Sequence, residues 1–223
     1  MYRRVALLHL DPATTESDRV ALERQLGDVA ARVPGVTHSH LGRHLEGTVG
    51  GGDYTWDLAF PDAAACPAWE DQLSGAGATA LFERMITRVD CVQFPSATVT
   101  VVEPEMADLV KRTLFLEVSK AASPEQIDRF DHILTGMPRY IPAIRNWACH
   151  RVDNGLSVGP RRWTHVWEQE YADISGLRVD YMMSPYHWGF VDGWFDSESP
   201  HHIVEQGVAH VFCASSRSIL AWT

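Results

Sequence analysis

Cysteine is scarce in this chain of 223 residues. Cys66, Cys91, Cys149 and Cys213 are the only four, and they are widely scattered. None forms a Cys-x-x-Cys pair, which excludes a zinc knuckle or a thioredoxin-type motif. So low a density argues against a disulfide framework and leaves reduced, buried thiols as the expectation. Positive charge is also in short supply: 19 Lys and Arg face 29 Asp and Glu, a formal charge of −10. Nucleic acid and anionic membranes both require a basic face, so neither partner is expected. Long apolar runs are missing too. Asp11 and Pro12 stop the opening stretch MYRRVALLHL too early for a signal peptide, and no segment approaches the ~20 apolar residues of a membrane span. The cytoplasm is the expected location. No GxGxxG, P-loop, HExxH or GxSxG occurs, so neither a nucleotide cofactor nor serine hydrolysis is suggested.

What the chain does have is self-similarity, the signature of repeated units. RRVALLHL (3–10) reads as a strand. A helix follows, with Thr14 or Thr15 near its N-cap and Leu22, Leu26, Val29 and Val33 on one face. Pro34-Gly35 ends it, and VTHSHLGRHL reads as the second strand. The glycine-rich GTVGGG leads to a third strand, YTWDLAF. Helical stretches near 63–73 and 78–87 and a strand near 89–101 complete the half.

The second half repeats this order. KRTLFLEV (111–118) is a strand. Ser123-Pro124-Glu125-Gln126 starts a helix, with a serine N-cap, proline at N1 and glutamine at N3. Ile127, Phe130, Leu134 and Met137 form its apolar stripe. Strands near 144–152 and 162–171, helical segments near 174–183 and 185–196, and a strand near 206–214 follow. Pro34 and Pro142 are 108 residues apart, Thr55 and Thr164 109, and Gly77 and Gly189 112, the slow drift expected of a duplication with small insertions. The predicted class is α+β: two ferredoxin-like βαββααβ units whose four-stranded antiparallel sheets pack face to face, because each sheet has helices on one face only. The boundaries are 1–102 for the first unit, 103–110 for a linker, 111–216 for the second unit and 217–223 for a tail.

Three segments of the second half, in order, resemble the dimeric α/β-barrel family, the stress-responsive A/B barrel (Dabb) domain. They are Ile141-Pro142-Ala143-Ile144, Trp163-Thr164-His165-Val166, and the Tyr181 to Phe190 stretch that contains Pro185 and His187. The resemblance covers nearly the whole chain, twice. It implies that one chain supplies both sheets of an intramolecular barrel, as a monomeric pseudo-dimer or a weak homodimer. On the same alignment Trp56 stands in the first half where His165 stands in the second, and Gly75 where His187 stands. The first half then serves as scaffold. Its charge fits that division: residues 1–108 carry a net −8 and residues 109–223 a net −2.

The candidate chemistry is therefore in the second half. On a strand, Trp163, His165, Trp167, Gln169 and Tyr171 share one face. A histidine between two tryptophans is desolvated and held neutral, either as a wall of a pocket or as a core residue satisfied by one hydrogen bond. His187 falls in the first turn of a helix capped by Ser184 and started by Pro185, where the helix dipole disfavours a protonated ring. A neutral imidazole can take a proton from a carbon or oxygen acid, and a tyrosine hydroxyl can donate to the developing oxyanion. In the family's cyclase branch, typified by olivetolic acid cyclase, the residues matching Tyr181, His165 and His187 line the pocket. The resemblance thus nominates His187 as general base, Tyr181 as oxyanion donor and His165 as a further polar wall. Trp163, Trp167, Tyr186, Trp188 and Arg112 are the candidate substrate contacts. Arg112 could neutralise an enolate or stand solvated at a strand end.

The expected activity is acid/base chemistry without cofactor or metal on a small carbonyl-containing aromatic or polyketide-like substrate: cyclase, dehydratase or isomerase. Two other readings stay open. One is a monooxygenase of the same superfamily, with haem or without cofactor. The other is a non-catalytic, stress-associated ligand-binding protein. His38, His40 and His44 share one strand parity near His9 and Glu46, which leaves a metal site or a solvated face as alternatives there.

Overall fold

The computed structural model describes residues 1–68, 71, 79–96, 98–152 and 159–222. The first half runs β1 (Tyr2–Leu10), α1 (Glu16–Arg32), β2 (His38–Arg43), β3 (Tyr54–Phe60), α2 (Thr79–Met85) and β4 (Ile86–Pro95). Then come β5 (Val99–Val101), β6 (Leu109–Leu116), α3 (Pro124–Gly136), β7 (Asn146–Arg151), β8 (His165–Tyr171) and β9 (Ala209–Ser215). Between β8 and β9 the chain coils through two π-helical segments, Gly176–Tyr181 and His187–Val191, and a 3-10 turn, Asp192–Trp194. The architecture is α+β and ferredoxin-like, with two antiparallel sheets of order β2-β3-β1-β4 and β5-β7-β8-β6-β9. Apart from the edge strand β5, the two orders are the same. Among the described residues no helix is long and apolar enough to cross a membrane.

Local sequence explains the helix starts. Thr15 caps α1 and shares a reciprocal capping box with Asp18, and Ser123 does the same with Gln126 for α3. Several expected boundaries move. The strand expected over 89–101 is two: β4 starts at Ile86, and β5 belongs to the other sheet. β6 begins at Leu109, inside the expected linker. β8 begins at His165, so the alternation read back to Trp163 does not extend that far. Of the helix expected near 63–73, residues 63–68 are turn, bend and irregular chain, while 69, 70, 72 and 73 lie outside the described residues, as does Gly75.

Each sheet buries one face under its own helices. Leu22, Leu26 and Val29 of α1 pack with Leu8, Trp56 and Leu58, and Phe130 and Leu134 of α3 pack with Leu116 and Trp167. The other faces meet: Val5, Leu7, Val92 and Phe94 form one cluster with Phe115, Val166, Ala209 and Val211. With both faces covered, β3, β6 and β8 are buried at every residue. That is why they read as near-continuous apolar runs interrupted by isolated charges.

Those charges meet between the sheets. Arg3 donates to Asp57 at 2.6 Å and to both oxygens of Glu168 at 2.6 and 2.9 Å. Lys111 reaches Asp57 at 2.8 Å and Glu168 at 2.8 Å. All four are buried. Two cations and two carboxylates balance, as a buried cluster requires. Burial favours the neutral form of Glu168, but Arg3 and Lys111 outweigh it and hold its pKa well below the usual carboxylate range. The pairing also corrects the expected alignment. Arg3 lies opposite Ala59 and Lys111 opposite Glu170. Matching Arg3 with Lys111 therefore sets Asp57 against Glu168, Trp56 against Trp167 and Tyr54 against His165, two residues from the sequence register.

The sheets also touch at their margins. Leu45 donates its backbone N–H to Phe212, and Val49 exchanges both backbone hydrogen bonds with His210, so the loop after β2 runs along β9. Gly50 has φ +76°, and a Cβ there would lie 2.5 Å from the carbonyl oxygen of Val208. Only glycine permits that approach. At the opposite margin β5 adds to β7.

Candidate active site

Between the second sheet and the π-helical segments lies a cavity of about 200 Å³. Leu114, Leu134, Trp167, Val191 and Phe195 supply most of its wall, and Arg112, Tyr181, His187, Asp192 and His210 its polar groups. Four of the predicted residues thus come together: His187, Tyr181, Arg112 and Trp167. The rings of Tyr181 and His187 are 4.6 Å apart, tilted by 56°.

His187 opens the second π-helical segment. Its Nδ1 stands 3.4 Å from Asp192 Oδ1, too poorly aligned to count as a hydrogen bond. Burial lowers its pKa below 6.5, Asp192 opposes this and Arg112 reinforces it. The neutral ring expected from the sequence is obtained, and the leading cause is desolvation. Tyr181 is buried, which raises its hydroxyl pKa, while Arg112 acts in the opposite sense.

Arg112 is only 4% exposed, so the solvated strand end considered for it does not apply. Its Nε–H donates to His210 Nε2 at 2.7 Å, and its Nη1 donates to Gln169 Oε1. Its guanidinium carbon lies 4.7 Å above the Tyr181 ring. His210 is held neutral, with its pKa lowered to about 3, first by burial and then by the charge of Arg112. Sequence reasoning missed His210. A single histidine in β9 carries no local signal, and its place beside Arg112 depends on the β6–β9 pairing, which sets Leu114 opposite His210.

The remaining predicted residues lie elsewhere. His165 is buried against the edge of the Phe130 ring, 6.2 Å between centroids. Its Nδ1 is 2.8 Å from Thr164 Oγ1, and its Nε2 is 3.6 Å from Asp131. Burial lowers its pKa to about 4. It ties β8 to α3 and does not line the cavity. Trp163 precedes β8 and turns into the layer between the sheets, where its indole donates to Asp90 at 3.0 Å. Tyr186 stacks between Tyr140 and Phe190, and Trp188 is 54% exposed with its indole donating to Met182 O. Their apolar bulk reads in sequence as a pocket wall, but Tyr186 packs half-buried against α3, donating to Ile133 O, and Trp188 lies on the outer surface.

The first-half histidines are engaged separately. His38 stacks on Trp222, His40 contacts Cys213, His44 bonds to Gly52 O and Thr55 Oγ1, and His9 pairs with Asp90. Among the described residues, no group of three His, Cys, Asp or Glu side chains could hold a metal ion.

Several solved structures share this fold over nearly the full chain. An anthrone oxidase-like protein superposes with a TM-score of 0.67 at 12% identity, covering 96% of this chain and 90% of its own. A protein provisionally named a monooxygenase, from Fusobacterium nucleatum subsp. nucleatum, gives 0.57 at 10% identity over 97% and 95%. Another so named, from Lactobacillus acidophilus NCFM, gives 0.54 at 11% identity over 97% of each chain. At these identities the likeness is one of fold. No curated protein matches by sequence. Residues 110–204 match the Stress responsive A/B Barrel Domain (Dabb).

Proposed function

We propose that the chain is a tandem pair of Dabb-like units closing an intramolecular barrel, and that the second unit is an acid/base enzyme for a small carbonyl-bearing substrate. The strand orders, matching apart from β5, and the balanced Arg3–Asp57–Lys111–Glu168 cluster support the pseudo-dimer, which a single chain completes. His187 is the general base and takes a proton from the carbon next to the carbonyl. Tyr181 and Arg112 stabilise the resulting enolate, and Trp167 supports the ring. The observation that carries this reading is a neutral histidine on the wall of an otherwise apolar cavity that also holds a buried arginine. Carbonyl substrates supply their own electron sink, so a base and an oxyanion partner suffice. Ring closure, dehydration and isomerisation all begin with this step.

The fold likeness to an anthrone oxidase-like protein and to provisionally named monooxygenases favours one further outcome of the same step. A deprotonated carbon can pass electrons to dioxygen, so that a CH2 group and O2 become a carbonyl and water. Haem would not fit within this cavity of about 200 Å³.

The test is hydrogen–deuterium exchange at the α-carbon of single-ring ketones in D2O, with and without dioxygen. The wild type should accelerate exchange, and His187→Asn should lose roughly 10²–10⁴-fold of that acceleration. Equal exchange by the two proteins would remove His187 from the role. Oxygen consumption that depends on His187 would select the oxygenase outcome.

A further inference from the structure

Arg112 is a buried cation whose protein partners are all neutral. Buried charges are normally paired, because leaving one uncompensated costs several kcal/mol. Two other buried cations follow that rule: Arg3 and Lys111 each meet both Asp57 and Glu168. Arg112 sits one residue beyond Lys111 on β6 and faces the other way, into the cavity. Its partners are an imidazole, an amide oxygen and an aromatic ring. Among the described residues it forms no ion pair with a carboxylate within 4.0 Å. Asp192 lines the same cavity, but its close contact is with the neutral ring of His187, at 3.4 Å.

Two of the unpaired polar atoms of this region are donors. The indole N–H of Trp167, a lining residue, has no partner, nor does the Gln169 amide nitrogen beside the oxygen that Arg112 holds. Donors without acceptors around an unmatched cation make a place for an anionic oxygen. His210 completes the arrangement. Because its Nε2 accepts from Arg112, its proton must be on Nδ1. It orients the guanidinium without neutralising it, which a carboxylate in the same place would do.

Size narrows the ligand. The cavity is about 200 Å³, below the ~300–1,000 Å³ of common ligand pockets and slightly above the ~150 Å³ apolar cavity that accepts benzene. One ring and a substituent fit.

We propose that Arg112, positioned by His210, is the counterion for a phenolate, enolate or carboxylate oxygen of a single-ring substrate. The proposal rests on the reading of this cavity as the substrate site, and not on the role given to His187.

4-Nitrophenol tests it, since its phenolate absorbs in the visible and its neutral form does not. Bound to the wild type, the probe should titrate at least about one pKa unit lower than in solution, a tenfold preference for the anion. The wild type should also bind the phenolate about tenfold more tightly than nitrobenzene, a comparison that needs no variant. Arg112→Met should abolish both preferences, and His210→Leu should weaken them while His210→Gln, which keeps an acceptor, should retain more. His187→Asn should leave the anion preference in place. A bound probe titrating at or above its free value, equal affinity for nitrobenzene, or no binding of either compound would overturn the proposal. In the first two cases His187 would remain a candidate base. In the third, the substrate site itself would fall.

Discussion

The cluster between the sheets makes a quantitative demand. Lys111→Met leaves Asp57 and Glu168 sharing the single charge of Arg3, in a layer where all three are essentially inaccessible to solvent. Removing one partner of a buried ion pair typically costs about 3–5 kcal/mol, because the charge left behind is uncompensated. For a chain of this length that corresponds to a fall in Tm of roughly 6–20 °C, at about 2–4 °C per kcal/mol. Adding Asp57→Asn restores the balance. Arg3 and Glu168 then remain as a two-bond pair at 2.6 and 2.9 Å. The double variant should therefore be more stable than the sum of the single effects by about 1.5–3 kcal/mol, within the range of coupled neighbours. Urea unfolding followed by tryptophan fluorescence and far-UV circular dichroism measures all four proteins. The two signals should change together, because the cluster binds residues of both halves. A cost of about 1 kcal/mol or less for Lys111→Met, the worth of an exposed pair, would refute the reasoning, as would strict additivity.

Two further outcomes follow from the packing and the histidines. Gly42→Ala on β2 would set a Cβ against Cys213, 2.7 Å from its Cβ, and should destabilise by about 1–3 kcal/mol through overpacking; urea titration checks it, and an unchanged midpoint would mean that β2 and β9 are not in contact. His165 is held neutral, with its pKa lowered from 6.5 to about 4. The unfolded chain therefore binds the extra proton first. The stability contributed is whole above pH 6.5 and is lost as pH falls toward 4, by about 3 kcal/mol at 1.36 kcal/mol per unit. His165→Asn should flatten the slope of stability against pH in that window by nearly one proton, and an unchanged slope would show that the ring is accessible to protons.

The fold was legible in the sequence where the signals were local. Thr15 and Ser123 announce their helices through side-chain caps, and the order of elements follows from Pro34, Pro142 and the apolar stripes between them. Register was not local. The spacing of Thr55 and Thr164 set Trp56 against His165, whereas the charges in the inter-sheet layer set Trp56 against Trp167. The site divided the same way. His187 and Tyr181 come together at the cavity, and one segment carries both. His165 does not line this cavity, because alternation shows that residues share a face but not how far along it a cavity extends. Trp163 left that face because the strand starts after it. His210 was invisible because its meaning lies in Arg112, 98 residues away.

In the proposed function His187, and not His165, is the neutral base exposed to ligand. Long-range ¹H–¹⁵N NMR of the imidazole rings tests it most directly, with His187→Asn and His165→Asn assigning the two signals. His187 should titrate below 6.5, and its ring nitrogens should shift when 4-nitrophenol or a single-ring ketone is added, while those of His165 do not move. A His187 midpoint at or above 6.5, or a ligand response at His165 with none at His187, would contradict it.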